Sequence, residues 1–257
     1  MASRSRSRNK IVVLADDLTG ANDTGVQFAK QGLTSLVLIS LPDSPSDLDE
    51  DVVIVDTQSR ALPPAEAYEK VAQAVGLFKE RGPFQALYKK IDSTLRGNLG
   101  PEIDALMDVC GFGTAVVAPA FPKNGRITVG GRHFLGGVPL EATEIARDPV
   151  CPVGESHIPT LLAGQTRRRV GHVGIKSVLA GSDGILDAMR GLRAEGCEVV
   201  VCDAWQDDHL AMIAMAAARL EQPVLWVGSA GLAEALPLAL GLGAAEAEGR
   251  PVVVIAG

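Results

Sequence analysis

The stretch KKIDSTLRGNLG, residues 89–100, gathers three cations, a carboxylate, two hydroxyls, an amide and two glycines directly behind the apolar Phe84–Tyr88 run. A surface turn needs a Gly, an Asn or a Pro, but not this inventory. Lys and Arg supply charge-assisted hydrogen bonds to an acid, Asp and Ser bond hydroxyls, and Gly97 and Gly100 permit close backbone approach. Three other stretches have the same character: ADDLTGANDTG (15–25), DTQSR (56–60) and APAFPKNGR (118–126). Together they describe a pocket with cations for a small carboxylate, acceptors for hydroxyls, and a spare carboxylate able to take a hydroxyl proton at hydrogen-bond range. Taken singly, three of them have plainer readings. Asp16-Asp17 can be a charged turn with a helix cap, Arg60 a surface residue, and the Asn-Gly of PKNGR a hairpin turn.

The elements that must hold these residues alternate. Apolar, β-branched runs predict strands at Ile11–Ala15, Ser35–Ile39, Val52–Asp56, Ala86–Lys90 and Ala115–Ala118, with helices at Asp23–Gln31, Pro64–Arg81 and Gly100–Val109. Residues 119–155 are an irregular Gly/Pro-rich insert with a small hairpin around Ile127–Phe134. The rhythm then resumes with helices at Gly181–Ala194, Asp207–Leu220 and Ala230–Leu240 and strands at Val199–Cys202 and Val224–Val227. This pattern predicts an α/β fold, a mostly parallel sheet with helices on both faces. Ligands of such sheets bind beyond the carboxyl ends of the strands, and all four stretches fall there. VGSAG (227–231) also joins a strand to a helix, so its amides can face a phosphate, or the turn can simply be tight. It is not a nucleophile elbow, because Val227 stands two residues before Ser229. The closing PVVVIAG reads either as the last strand of the same sheet or as the start of a second domain.

Composition narrows the function. The net charge of −7 leaves no global basic face for nucleic acid. Cys110, Cys151, Cys197 and Cys202 lack CxxC spacing and suit a reducing cytoplasm. His133, His157, His172 and His209 form no HxxxH pair, so no protein-built metal site is expected. No apolar run approaches the roughly 18 residues needed to span a membrane. Residues 1–9 read as a disordered basic tail.

ADDLTGANDTGVQFA, DTQSRAL, YKKIDSTLRGNLGPEIDAL, VAPAFPKNGRITVGGRHFL, GVPLEATEIARDP and VGSAGLAEAL, in this order from about Lys10 to Leu240, resemble the four-carbon acid sugar kinase family, which includes D-threonate, D-erythronate and 3-oxo-tetronate kinases. The resemblance implies ATP-dependent phosphorylation of the terminal 4-hydroxyl of a four-carbon sugar acid, with Mg²⁺ arriving on the nucleotide. It implies a sugar-acid-binding α/β domain over 10–240, a linker over 241–250, and in 251–257 the first strand of a nucleotide domain otherwise essentially absent. ATP would therefore be met through a C-terminal domain this chain lacks, and a homodimer stays open. Carried onto this chain, Asp16, Asp17, Arg60, Lys90, Asp92, Ser93 and Arg96 line the acid site, and Asn124, Gly125 and Arg126 close it. Asp17 is expected as the catalytic base while Asp16 or Asp23 caps the helix. Arg60 and Arg96 are expected to offer their guanidinium groups to the substrate carboxylate. Gly228, Ser229 and Gly231 are the only nucleotide-binding candidates, since neither GxxxxGK[ST] nor GxGxxG occurs. A non-catalytic sugar-acid-binding module is the alternative. A Rossmann dehydrogenase domain is disfavoured by the spacing of Gly20 and Gly25.

Overall fold

The structure, a computed structural model, describes residues 11–41, 48–242 and 253–255; the tail over 1–9 and most of the linker fall outside them. The first half runs β1 (Ile11–Ala15), α1 (Leu18–Lys30), β2 (Ser35–Leu38), β3 (Val52–Asp56), α2 (Pro64–Arg81), β4 (Ala86–Lys90), α3 (Leu99–Cys110) and β5 (Ala115–Ala118). A small antiparallel sheet follows, made of β6 (Arg126–Val129), β7 (Arg132–Leu135) and β8 (Val138–Pro139). The chain continues through α4 (Ile158–Ala163), β9 (Val170–Val173), α5 (Ile175–Leu179), α6 (Gly181–Ala194), β10 (Val199–Cys202), α7 (Asp207–Ala217), β11 (Leu225–Gly228), α8 (Ala230–Ala239) and β12 (Val253–Ile255).

Among the described residues the main sheet has nine strands in the order β12-β2-β3-β1-β4-β11-β5-β10-β9, every pairing parallel. Side chains alternate across it. Ile11, Val13 and Ala15 join one core with α1, α6, α7 and α8, while Val12 and Leu14 join a second core with α2 and α3. Both faces are therefore covered, which is why these strands read as continuous apolar runs. Parallel pairing also brings the carboxyl ends of β1, β3, β4, β5 and β11 to one edge, within reach of one ligand.

Two differences from the sequence reading, at α1 and β9, have physical causes. Helix α1 begins at Leu18 rather than Asp23, because the Asp17 side chain accepts the Gly20 amide at 2.8 Å and caps the helix there. Asp17 is the cap, not Asp16 or Asp23. Strand β9 was not predicted because Gly171 interrupts a four-residue run; a Cβ there would lie 2.9 Å from Leu192 and 3.0 Å from Cys197. The closing strand β12 pairs in parallel with β2 at the sheet edge, Val253 opposite Leu36. No helix of the described residues is long and apolar enough to cross a membrane.

Candidate functional site

A cleft of about 380 Å³ opens at the carboxyl edge of the sheet, and all its walls come from strand ends. Asp17, Thr19, Gly20 and Asp23 follow β1, and Arg60 follows β3. Lys90, Asp92, Ser93 and Arg96 come from β4 and the turn after it, Phe121, Asn124 and Arg126 follow β5, and Ser229 and Ala230 follow β11. A larger groove of about 840 Å³ lies at the amino ends of the strands, but among the described residues Lys79 and Glu221 are the only charges lining it. The strand-end cleft is where the chemistry can occur.

Most of its charges already have partners. The Arg60 guanidinium holds Asp16 through Nε at 2.7 Å and Nη2 at 3.1 Å, and Asp17 through Nη1 at 2.6 Å. Arg96 holds Asp92 through Nε at 2.6 Å and Nη2 at 3.3 Å, and Asp148 through Nη1 at 3.2 Å. Arg60 and Arg96 thus line one cleft as expected, but their nitrogens are engaged by carboxylates of the chain rather than turned outward as a pair of forks. Burial alone would raise Asp92, yet the Arg96 hydrogen bonds and the nearby Arg60 charge bring it down to about 2.

The remaining groups are less committed. Lys90 is 4% exposed, and its Nζ donates only to the Ile91 carbonyl at 2.9 Å. Burial lowers its pKa, partly offset by Asp16, Asp92 and Asp17. The ammonium presses against the first turn of α1, where a Cβ on Gly20 would lie 2.5 Å from Nζ. Arg126 donates from Nη1 to the Asn124 carbonyl at 2.6 Å, and its buried Nε has no hydrogen-bond partner. Asp23 lines the cleft and has no ion pair among the described residues. The site therefore combines a preformed frame of paired charges with two cations and a carboxylate left to meet a ligand.

Some expected residues stand behind the cleft rather than on it. Asp16 is 3% exposed and supports Arg60 from below. Gly125 takes φ +70° and its carbonyl receives the Gly136 amide at 2.8 Å, so it shapes the turn that carries Asn124 and Arg126. Of the three nucleotide candidates only Ser229 reaches the cleft. Its Oγ donates to the Ala120 carbonyl at 3.0 Å and accepts the Gly231 amide at 3.2 Å. A Cβ on Gly228 would meet the Tyr88 hydroxyl at 2.7 Å, and one on Gly231 the Ala120 carbonyl at 2.5 Å. Both glycines serve close packing of α8 on the sheet.

Other groups that hold the site were not singled out from sequence. The Lys89 Nζ lies 2.5 Å from a Glu102 carboxylate oxygen inside the second core. Ser59 donates to Glu102 at 2.8 Å and exchanges a hydrogen bond of 2.7 Å with Thr57, fastening the loop that carries Arg60. Asn98 clamps that loop again, donating to the carbonyls of Ser59 at 3.0 Å and Leu62 at 2.8 Å. Buried His133 ties the hairpin to the β4 turn through Nε2 and the Ser93 carbonyl, 2.9 Å apart. Asp203 receives the amides of Gly130 and Gly131 at 2.8 and 2.9 Å and His172 at 2.9 Å, pinning the hairpin to β10. One signal was legible: a Lys and a Glu standing on otherwise apolar core faces, Leu87-x-Lys89 in β4 and Leu99-x-x-Glu102-Ile103 in α3.

The chain is thus a parallel α/β domain with a charged cleft at the carboxyl ends of its strands. Residues 11–236 match the family described as the sugar-binding N-terminal domain. The chain is 41% identical over 248 residues to the D-threonate kinase of Salmonella typhimurium, covering 96% of this chain and 57% of the relative. It is 39% identical over 252 residues to the D-erythronate kinase of Heliobacterium modesticaldum, covering 97% of this chain and 57% of the relative. Among solved structures, a Bordetella bronchiseptica protein crystallised with bound citrate as a domain-swapped dimer superposes with a TM-score of 0.76 at 37% identity, over 90% of this chain and 55% of that one. The chain belongs to the four-carbon acid sugar kinase family and spans somewhat over half the length of these relatives.

Proposed function

We propose that the protein serves ATP-dependent phosphorylation of the terminal 4-hydroxyl of a four-carbon sugar acid, of the threonate, erythronate or 3-oxo-tetronate type, with this chain binding the acid. The observation that carries the reading is the strand-end cleft, whose 380 Å³ combines cations and carboxylates at the position where α/β sheets bind ligands. The names of the relatives support the reaction class. Lys90, Ser93, Asn124 and Arg126 hold the acid, within the frame that Asp16, Asp17, Arg60, Asp92 and Arg96 form. Asp17, fixed by Arg60, receives and orients the hydroxyl that attacks. Phosphoryl transfer asks mainly for positioning and charge neutralisation, so a carboxylate held in place suffices there.

ATP and Mg²⁺ are co-substrates in this reading. No cluster of three or more His, Cys, Asp or Glu able to hold a metal exists among the described residues. Mg²⁺ would be held mainly by the phosphates and water. The Gly228–Gly231 turn offers little to a triphosphate, since the Gly231 amide is already taken by Ser229. The nucleotide is therefore assigned to a C-terminal domain, in the part of the relatives' length that this chain does not cover. The domain-swapped Bordetella dimer makes a homodimer the assembly to test.

The test is an ADP-release assay with ATP, Mg²⁺ and each acid, on this chain alone and on this chain joined to the C-terminal part of the Salmonella relative. Acid-dependent ADP release only in the joined protein is the expected result. Turnover by the chain alone would place the nucleotide site within residues 1–257, starting from Ser229. Calorimetric titration with no heat for any of the acids would overturn the acid-binding role.

A further inference from the structure

The charges of the cleft divide into those with carboxylate partners and those without, and the division identifies the group that selects for an acid. Arg60 bonds Asp16 and Asp17 through all three side-chain nitrogens, and Arg96 does the same with Asp92 and Asp148. For either to take a substrate carboxylate, a pair within the frame must break, and a buried carboxylate, Asp16 or Asp92, would be left facing the incoming anion beside its part-exposed neighbour, Asp17 or Asp148. Such a rearrangement opposes binding, because a buried charge stripped of its partner is costly.

Arg126 is differently placed. It sits at the start of β6, on the hairpin that covers the β5 side of the cleft. Among the described residues the one hydrogen bond of its side chain goes from Nη1 to the Asn124 carbonyl, two residues back in its own turn, and no carboxylate pairs with it. Its Nε is buried without any acceptor. A charged donor left unsatisfied favours any movement that finds it an acceptor. A carboxylate supplies two acceptors in the geometry that Nε and one Nη present as a fork. Lys90, on the floor of the same cleft, adds a second cation with only one carbonyl partner.

We propose that Arg126 is the specificity-determining residue of the cleft: its guanidinium leaves the Asn124 carbonyl and grips the carboxylate of the bound acid, while Arg60 and Arg96 hold the frame. This inference rests on the acid-binding role proposed above. It gives the cleft a direction. The carboxylate lies at the β5 side under the hairpin, and the far hydroxyl lies at the β1 side, beside Asp17 and Asp23. The hairpin is fixed at both ends, since Lys123 ahead of β6 meets Glu234 at 2.6 Å and the Gly130 and Gly131 amides in the β6–β7 turn bond Asp203, so Arg126 moves as a side chain on a secured hairpin.

The experiment is calorimetric titration of the 257-residue chain with D-threonate, D-erythronate and erythritol, which keeps the hydroxylated four-carbon chain but lacks the carboxylate. Wild type is compared with Arg126→Gln, Arg126→Lys and Arg96→Lys, each with a thermal melt. Arg126→Gln is expected to lower affinity for the acids on the order of ten-fold or more, as loss of charged hydrogen bonds does, without a matching loss for erythritol. Arg126→Lys keeps the charge but not the fork, so its affinity falls between the two. Arg96→Lys should lower the melting temperature while weakening the acids less than Arg126→Gln. Acid affinity unchanged in Arg126→Gln, or lost more in Arg96→Lys, overturns the assignment and leaves the acid-binding role standing. Wild type that binds neither acid overturns both.

Discussion

The Lys89 ammonium and the Glu102 carboxylate meet at 2.5 Å with both side chains 1% exposed, so an ion pair lies inside the sheet–helix core directly below the loop that carries Arg60. Burial pushes the Glu102 carboxyl up, against the pull of Lys89. Lys89 also donates to the carbonyls of Leu14 at 3.3 Å and Lys90 at 2.8 Å, so the pair joins β1, β4 and α3. Removing one buried partner strands the other, which costs about 3–5 kcal/mol, whereas replacing both with apolar groups is often nearly neutral. Lys89→Met and Glu102→Leu should each lower stability by that order, and the double variant should be more stable than either single one. Urea unfolding of the three variants checks this. Additive losses in the double variant would show that the pair does not act as a unit.

Gly20 separates stability from binding. Alanine there would gain about 0.5–1 kcal/mol of helix propensity. Its Cβ, however, would come within 2.5 Å of Lys90 Nζ and 2.7 Å of Asp17 Oδ1. The lysine is long and can retreat, so the fold survives, but the ammonium leaves its place on the cleft floor. Gly20→Ala should melt within a few degrees of wild type and bind the four-carbon acids several-fold more weakly. Calorimetry beside a thermal melt reads both quantities, and undiminished affinity would remove Lys90's present position from the binding site.

What the sequence disclosed and what it hid follow from the range of the interactions. The strand ends were legible because β-branched runs buried on two faces have few other solutions, and the polar stretches stood beside them. The start of α1 was obscured by Thr19 and Gly20, weak helix formers that the Asp17 cap overrides. The partners were hidden. Nothing near Arg96 in sequence points to Asp148, which pairs with it from 52 residues away. A cation's type can be read from sequence, but whether it is free for a ligand depends on such distant partners. That is why the sequence offers Arg60 and Arg96 as cations for a substrate but does not show the carboxylates that engage them.

His133 gives the fold a pH window of its own. The Ser93 carbonyl can only accept, so Nε2 carries the proton, and Nδ1 accepts from Thr128 at 2.9 Å. Burial holds the ring neutral, bringing its pKa from 6.5 down to about 4, although Ser93 and Asp92 pull it upward. Between those values the unfolded chain binds the proton that the folded ring refuses, so stability is full above about pH 6.5 and falls toward pH 4. One proton corresponds to about 1.4 kcal/mol per pH unit, a loss of a few kcal/mol across the window. His133→Gln should be less stable at neutral pH and show a flatter slope from pH 6.5 to 4. Parallel slopes in the two proteins would mean that the ring takes its proton in the folded state as readily as in the unfolded one.

Asp17 and Asp23 stand on the same helix-entry segment but in different conditions, and turnover can tell them apart. Asp17 Oδ1 accepts the Gly20 amide at 2.8 Å and its Oδ2 meets Arg60 at 2.6 Å, whereas Asp23 lines the cleft with no ion pair among the described residues. Asparagine caps helices about as well as aspartate, so Asp17→Asn should keep the fold within about 1 kcal/mol apart from the Arg60 contact. If Asp17 orients and receives the attacking hydroxyl, Asp17→Asn in the chain joined to a C-terminal kinase domain should lower kcat by about 10²–10⁴, the usual range for a positioned base, with KM for the acid little changed. Asp23→Asn should leave kcat within a few-fold. The reverse outcome, with Asp23→Asn slow and Asp17→Asn near normal, would move the proton-accepting role to the unpaired carboxylate and leave Asp17 as cap and anchor for Arg60. Measuring kcat and KM for both variants at one pH, with D-threonate and D-erythronate in turn, separates the two assignments whichever acid the enzyme prefers.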